Sequence, residues 1–420
     1  MNRFPLSPEF EKHPSLNRPE VSKAWALLQV MDEWVLDRQM ELTAIPAPPF
    51  GEGPRAERMA QLFEEVGLEA VRTDGEGNVL GTFPSGTGRP RGGPESGGAD
   101  LHPFEGAPLI VSAHLDTVFP METDVVPKRR GDRIEAPGIS DDGRGLASLL
   151  ALARVLVEVP IALPFPILFV ATVGEEGPGD LRGVRHLLAG AERGFQPRGF
   201  ISLDGVGLDR IIHRGVGSVR FRVTARGPGG HSWTDFGSPN PIHLLGRVIA
   251  EAQQIPLPSN PKTTLTVARW SGGTSVNSIP QDAWIDLDLR SESGKELETL
   301  EFDFRRVLEV ASKGKGTRAK GREGLKLDVK TIGRRPAGST RESESLVVAA
   351  VEATRCLGGE PTLIGSSTDA NQAMALGIPA ITLGAGGTGG GMHTLDEWYE
   401  NRKGPEGILR ALLTVLLLAD

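Results

Sequence analysis

Residues 109–116 read Leu-Ile-Val-Ser-Ala-His-Leu-Asp. The first five form a short run, apolar apart from Ser112, of the kind that makes a strand buried on both faces. His114 and Asp116 follow at once. The arrangement recurs along the chain. Residues 169–176 read Phe-Val-Ala-Thr-Val-Gly-Glu-Glu, residues 200–204 read Phe-Ile-Ser-Leu-Asp, and 379–383 lead through a glycine-rich stretch at 384–391 to His393. Helical patterns at 146–157, 181–189, 343–357 and 369–376 lie between or beside these runs. Strands alternating with helices predict an α/β fold, with a largely parallel mixed sheet covered by helices on both faces. Ligands of such sheets bind beyond the carboxyl ends of the strands. The polar residues after each run are therefore expected on one edge.

Upstream, Trp25, Leu28, Val35 and Leu42 recur near helical spacing and predict a helix over 21–43. A second helix at 54–66 begins at Pro54 and stops at Gly67, and a strand follows at 78–83. Residues 85–107 are rich in Gly, Pro and Ser and read as a surface insertion of no assigned function. After residue 210 the rhythm changes. Residues 218–225, 263–270 and 283–290 alternate polar with apolar, as strands with one solvated face do. Helices at 241–254 and 296–311 and a last strand at 325–331 complete the order βαββαβ, the split βαβ pattern of a ferredoxin-like α+β layer. The expected organisation is a catalytic domain from 1–210 and 333–420, interrupted by a second domain at 211–332.

The chain has 420 residues with a net charge of −8, 39% hydrophobic and 24% charged. This is a globular composition long enough for two cores. The acidic balance argues against a nucleic-acid partner. The basic run 128–130 reads as a solvated turn before a strand. The single cysteine, Cys356, excludes an internal disulfide and reads as a small buried hydrophobe. No secretion signal is evident at the start, and the apolar run 408–419 is far shorter than the roughly 20 residues that span a bilayer. A cytoplasmic protein without a membrane partner is expected.

His114, Asp141, Glu176, Asp204 and His393 are residue types that bind zinc, with cobalt or manganese as alternatives. Three of them are carboxylates, about −3 in charge, which two divalent ions at about +4 and one hydroxide nearly neutralise; one ion leaves the cluster negative. Asp141, just before the helix at 146, is the expected bridge. Asp116, two residues on, is expected to accept the other ring N–H of His114. Of the adjacent pair, Glu176 is assigned to metal and Glu175 to proton transfer. His102, His186, His213 and His243 read as ordinary surface or core histidines, and Asp369 as a helix N-cap. The 384–391 stretch lacks the Lys-Ser/Thr of a phosphate loop.

His114-Leu-Asp116-Thr-Val, Gly138-Ile-Ser-Asp141-Asp142, Gly174-Glu175-Glu176-Gly177, Leu203-Asp204-Gly205, Gly229-Gly230-His231-Ser232 and Gly391-Met-His393-Thr-Leu-Asp-Glu397 together resemble the co-catalytic zinc peptidases. That family includes peptidase T, carboxypeptidase G, acetylornithine deacetylase and succinyl-diaminopimelate desuccinylase. The resemblance implies the same five ligands and base, a cis peptide after Asp141, and a lid domain that mediates homodimerisation. It implies that His231 reaches the partner's active site and stabilises an oxyanion, and that Asn277 and Arg290 hold substrate. The family usually has Lys soon after the Asp pair, where this chain has Arg144. Aminopeptidases and dipeptidases of that family tend to have Asp at the position of Asp204, deacylases and carboxypeptidases Glu, and carbamoyl-cleaving members His. A peptidase of short peptides, of aminopeptidase type, is expected, with a deacylase or carboxypeptidase of N-acyl amino acids as the alternative and a non-catalytic binding protein as a remote one.

Overall fold

The computed structural model describes residues 10, 13, 16–86, 107–189, 196–313 and 325–420. The sequence insertion at 85–107 lies mostly outside them. The chain divides into two compact units, one of residues up to 215 together with 339–420, the other of residues 216–338.

The first unit is built on a mixed sheet. Its centre is four parallel strands in the order Ile167–Thr172, Leu109–His114, Gly199–Leu203 and Ala380–Leu383. Antiparallel strands Val79–Phe83 and Arg210–Gly215 flank them. The central strands are buried along their whole length, which is why they read as continuous apolar runs. Their side chains alternate between two cores. Leu109, Val111 and Ala113 join Phe169, Ile201 and the helices Gly143–Glu158, Ser345–Cys356 and Gly404–Ala419. Ile110, Leu168 and Phe200 join Val184 and Leu187 of Arg182–Leu188 and Ala373 of Ala370–Ala375. The expected two-faced α/β sheet is present. Cys356 is buried as expected.

Three local expectations are corrected. The helix expected over 21–43 is two, Pro19–Val30 and Asp32–Thr43, separated at Met31 (φ −91°, ψ 8°); apolar periodicity runs on across the break and conceals it. The basic run is not a turn. Lys128–Arg130 is an exposed strand paired with Arg133–Glu135 in a small second sheet, with Arg129 held 2.8 Å from Glu33. The expected domain edges at 211 and 332 also shift, because Arg210–Gly215 pairs with Ala380–Leu383 and Thr362–Ser366 in the large sheet.

The second unit has four antiparallel strands in the order Thr263–Gly272, Asp282–Ser291, Gly217–Arg226 and Lys326–Arg335. One face packs Val219, Phe221, Val223, Ile285 and Leu287 against helices Pro241–Ala252 and Gly294–Lys313. The order is the expected ferredoxin-like βαββαβ. Among the described residues, no helix is long and apolar enough to cross a membrane.

Candidate metal centre

The sheet brings the expected ligands of the first unit to one edge. His114 is the last residue of its strand. Glu175 and Glu176 follow Ile167–Thr172, and Asp204 follows Gly199–Leu203. Asp141 lies in the turn before Gly143–Glu158, and its peptide to Asp142 is cis. His393 arrives from the loop after Ala380–Leu383 in a left-handed conformation, φ 63°.

Asp141 stands between the two histidines. Its Oδ1 is 3.0 Å from His114 Nε2 and its Oδ2 is 3.1 Å from His393 Nε2. His393 Nε2 is also 2.9 Å from Glu176 Oε1. Three groups have ligand atoms within 4.8 Å of one another: His114 with Glu175 and Glu176, His114 with Asp142 and Asp204, and Asp141 with Glu176 and His393. All five expected ligands occur in these groups. A carboxylate that turns one oxygen to each imidazole suits a bridge between two cations.

The electrostatics point the same way. Burial raises the Asp204 carboxyl, and the charge of Asp141 adds to it, to about 7. Burial alone would lower His114, but the charges of Asp142 and Asp141 and the Asp141 contact hold it well above the usual histidine value. Hydrogen bonds to Asp141 and Glu176 raise His393 to about 10. Burial works against ionisation of Asp141, yet the two histidines keep it well below the ordinary carboxylate range. Asp204 thus tends to retain its proton, while Asp141 stays ionised against imidazoles that hold theirs. Divalent cations displace such protons, and two histidines with three carboxylates are a donor set that suits zinc, cobalt or manganese.

Asp116 departs from expectation. The Nδ1 of His114 lies 2.9 Å from the backbone carbonyl of Asp116, while the carboxylate is 3.7 Å away. That carboxylate instead accepts the backbone N–H groups of Glu175 (2.9 Å) and Glu176 (2.7 Å). A buried carboxylate needs donors, and the glutamate turn supplies two. Asp116 therefore orients His114 through its main chain and the glutamates through its side chain.

Sequence reasoning missed several supports. Asp142 caps Gly143–Glu158 by accepting from Gly145 N at 3.1 Å, and also accepts from His114 N at 3.0 Å. Its signal was an acidic residue directly before a helix start. Glu397 is fully buried and accepts from the N–H groups of Gly138, Ser140 and Asp141 at 2.8, 2.8 and 3.0 Å. Burial raises its carboxyl to about 7 despite these bonds. It stands at the end of the Gly391–Glu397 motif, with no role assigned to it there. Three arginines are also fully buried. Arg55 donates to the carbonyls of Ile45 and Leu115, Arg144 to those of Ala385 and Gly404, and Arg410 to those of Leu208 and Gly384. Arg144, in place of the family's usual Lys, reaches two loops with its planar fork.

The second unit holds the other expected residues. His231 is exposed in a short strand paired with Ser278–Ile279. Its Nδ1 accepts from Trp233 N and Thr234 N at 3.2 and 3.4 Å, which leaves Nε2 to carry the ring proton. Asn277 is beside it, its carbonyl accepting from Ser232 N at 3.0 Å. Arg290 is at the other end of Asp282–Ser291, opposite Ser218, and pairs with Asp288 at 2.6 Å. Within this unit His231 and Asn277 come together, and Arg290 does not join them.

Comparisons with known proteins agree with this geometry. Residues 110–417 match the model of peptidase family M20/M25/M40. A succinyl-diaminopimelate desuccinylase of Methylibium petroleiphilum is 28% identical over 221 residues, 49% of this chain and 57% of that protein. The chain spans about half the length of the curated relatives it matches. The aminopeptidase PepT from Bacillus cereus has a similar structure, with a TM-score of 0.70 and 23% identity, covering 92% of this chain and 99% of that one. The Bacillus subtilis YXEP protein, described as a dinuclear metal binding peptidase, has a TM-score of 0.62 and 16% identity, covering 93% and 98%. With the family model spanning both the sheet edge that carries the candidate ligands and the inserted unit, the chain belongs to peptidase family M20/M25/M40.

Proposed function

We propose that the protein is an aminopeptidase of short peptides working with two divalent ions, zinc before cobalt or manganese. The observation that carries this reading is the Asp141 carboxylate set between His114 and His393, with Glu176 beside His393 and Asp204 grouped with His114. His114, Asp204 and Asp141 would hold one ion, and Asp141, Glu176 and His393 the other. Bound there, the ions supply Lewis acidity toward a scissile carbonyl and toward an attacking water.

The chain's own groups do the remaining work. Glu175, held by the bond from its N–H to Asp116, takes a proton from the attacking water and passes it to the leaving nitrogen. His231 offers its Nε2 proton to the oxyanion of the tetrahedral substrate. We assign that role to the His231 of a second subunit, so the active form is a homodimer through the inserted lid. Asn277, beside His231, steadies the same substrate end, and Arg290 is a weaker candidate because Asp288 already engages it.

Asp204 favours a free substrate amine, since an Asp at this position goes with aminopeptidases and dipeptidases in the resembled family. A second reading, hydrolysis of N-acyl amino acids, is favoured by the desuccinylase relative. Zinc-loaded protein assayed on matched peptides with free and acetylated N-termini separates the two. Turnover of free peptides is expected; turnover of blocked substrates alone replaces the first reading with the second.

A further inference from the structure

The turn at 48–51 holds a feature that neither the core nor the backbone requires. Phe50 has φ 71°, a conformation in which a bulky residue is a true outlier and glycine the ordinary occupant. Its side chain is nevertheless 70% exposed, so burial does not compensate. Strain retained at an exposed aromatic is typical of a binding position.

The ring is backed and aimed. One face rests on the Arg182 guanidinium, 4.9 Å from the ring centre. Arg182 is in turn fixed by Glu52 at 2.8 Å and Glu76 at 2.7 Å. The stem of Arg182 runs directly under the glutamate turn, because a Cβ added to Gly174 would lie 2.6 Å from Arg182 Cγ. On its other side the turn is tied to the segment after His114, with Thr117 N donating to Ala47 O at 2.8 Å. Met121, 49% exposed, comes from that segment and lies against the turn, its methyl 2.8 Å from where a Gly51 Cβ would be. Phe50 and Met121 are thus exposed apolar side chains on a rim tied both to the segment after His114 and, through Arg182, to the glutamate turn.

We propose that this rim is the subsite for a large apolar side chain next to the scissile bond, with Phe50 as the specificity-determining residue. The inference rests on the peptidase reading above and names its substrate class: short peptides with a Leu- or Phe-like residue. An apolar side chain laid on an exposed ring removes enough area from water for about a tenfold gain in affinity.

The test uses full-length, zinc-loaded protein and phosphinic isosteres of Gly-Gly, Leu-Gly and Gly-Leu, with binding measured by calorimetry and hydrolysis of the parent dipeptides measured alongside. Wild type is expected to prefer one leucine isostere over Gly-Gly by about tenfold, and Phe50→Ala to reduce that ratio to near unity. Phe50→Gly relieves the strained backbone, so it should lose the same preference while its thermal midpoint stays at or above the wild-type value; a purely structural Phe50 would lower it. A leucine preference that survives both substitutions, or a wild type with none, overturns the subsite while leaving the peptidase reading intact. A wild type that neither binds an isostere nor cleaves a peptide removes that reading and the subsite with it.

Discussion

The two units handle charge in opposite ways. In the inserted unit the open face of the sheet mixes signs, and arginines there meet acids: Arg222 pairs with Asp286 at 2.7 Å, Arg220 with Asp288 at 3.4 Å, and Arg290 with Asp288 at 2.6 Å. In the first unit the acids Asp141, Asp142, Glu175, Glu176 and Asp204 crowd together at one sheet edge, while its fully buried arginines donate to backbone carbonyls. Paired charges on a wet face contribute little and ask for nothing further. Like charges in a dry edge call for a cation. The difference places the crowded candidate metal ligands in the first unit, and leaves the second with self-compensating charges.

The sharpest way to break that division is at the base. Glu175→Gln should lower kcat by about 10²–10⁴-fold with an unchanged circular dichroism spectrum and thermal midpoint. A loss as large from an inserted-unit residue such as Arg290→Ala, with Glu175→Gln mild, would reverse the assignment. Metal addition sharpens the comparison next. Zinc at about a hundred times its dissociation constant should stabilise the chelator-treated protein by about 2.7 kcal/mol. Hydrogen exchange should slow around 112–116, 139–143, 174–177 and 391–397 and stay unaltered in the strands at 217–226 and 282–291; equal slowing in both would contradict a site confined to the first unit.

The smallest effect lies in the inserted unit. Burial works against ionised Glu301, but its bonds from Arg334 and Arg305 prevail and lower its pKa. A carboxyl depressed in the folded state stabilises above the ordinary value of 4.5, and that stability is lost as pH falls through the folded value. Glu301→Gln should therefore cost at most about 1 kcal/mol at neutral pH, and the difference from wild type in urea titrations should shrink as pH falls below 4.5 and vanish once the folded carboxyl is protonated. A gap that persists at low pH would show that packing, and not the ion pair, is the source.

Much of the site was legible because a strand buried on both faces leaves polar residues only at its ends. His114, Asp204 and the Glu175-Glu176 pair stand out against apolar runs for that reason, and alternation exposed the ferredoxin-like unit equally well. The supports were hidden because their partners are main-chain atoms. Glu397 binds the N–H groups of residues more than two hundred positions away, and a backbone donor leaves no mark in the side-chain pattern. The Asp116 carboxylate was misdirected for the same cause. Arg55 and Arg410 drew no reading, and Arg144 only as a departure from the resembled family, since nothing local announces that their partners are carbonyls.

Those arginines also bear on how the sheet edge is held. Burial lowers Arg55 and Arg410, yet each stays at about 10, so both remain cationic throughout the neutral range. Their clamps fall on main-chain carbonyls, at 45, 115, 208 and 384. Each clamp sits beside a candidate ligand, Arg55 on the carbonyl after His114 and Arg410 on the carbonyls at 208 and 384 beyond Asp204 and the last parallel strand. The shape of this sheet edge is thus anchored by cations of the protein's own.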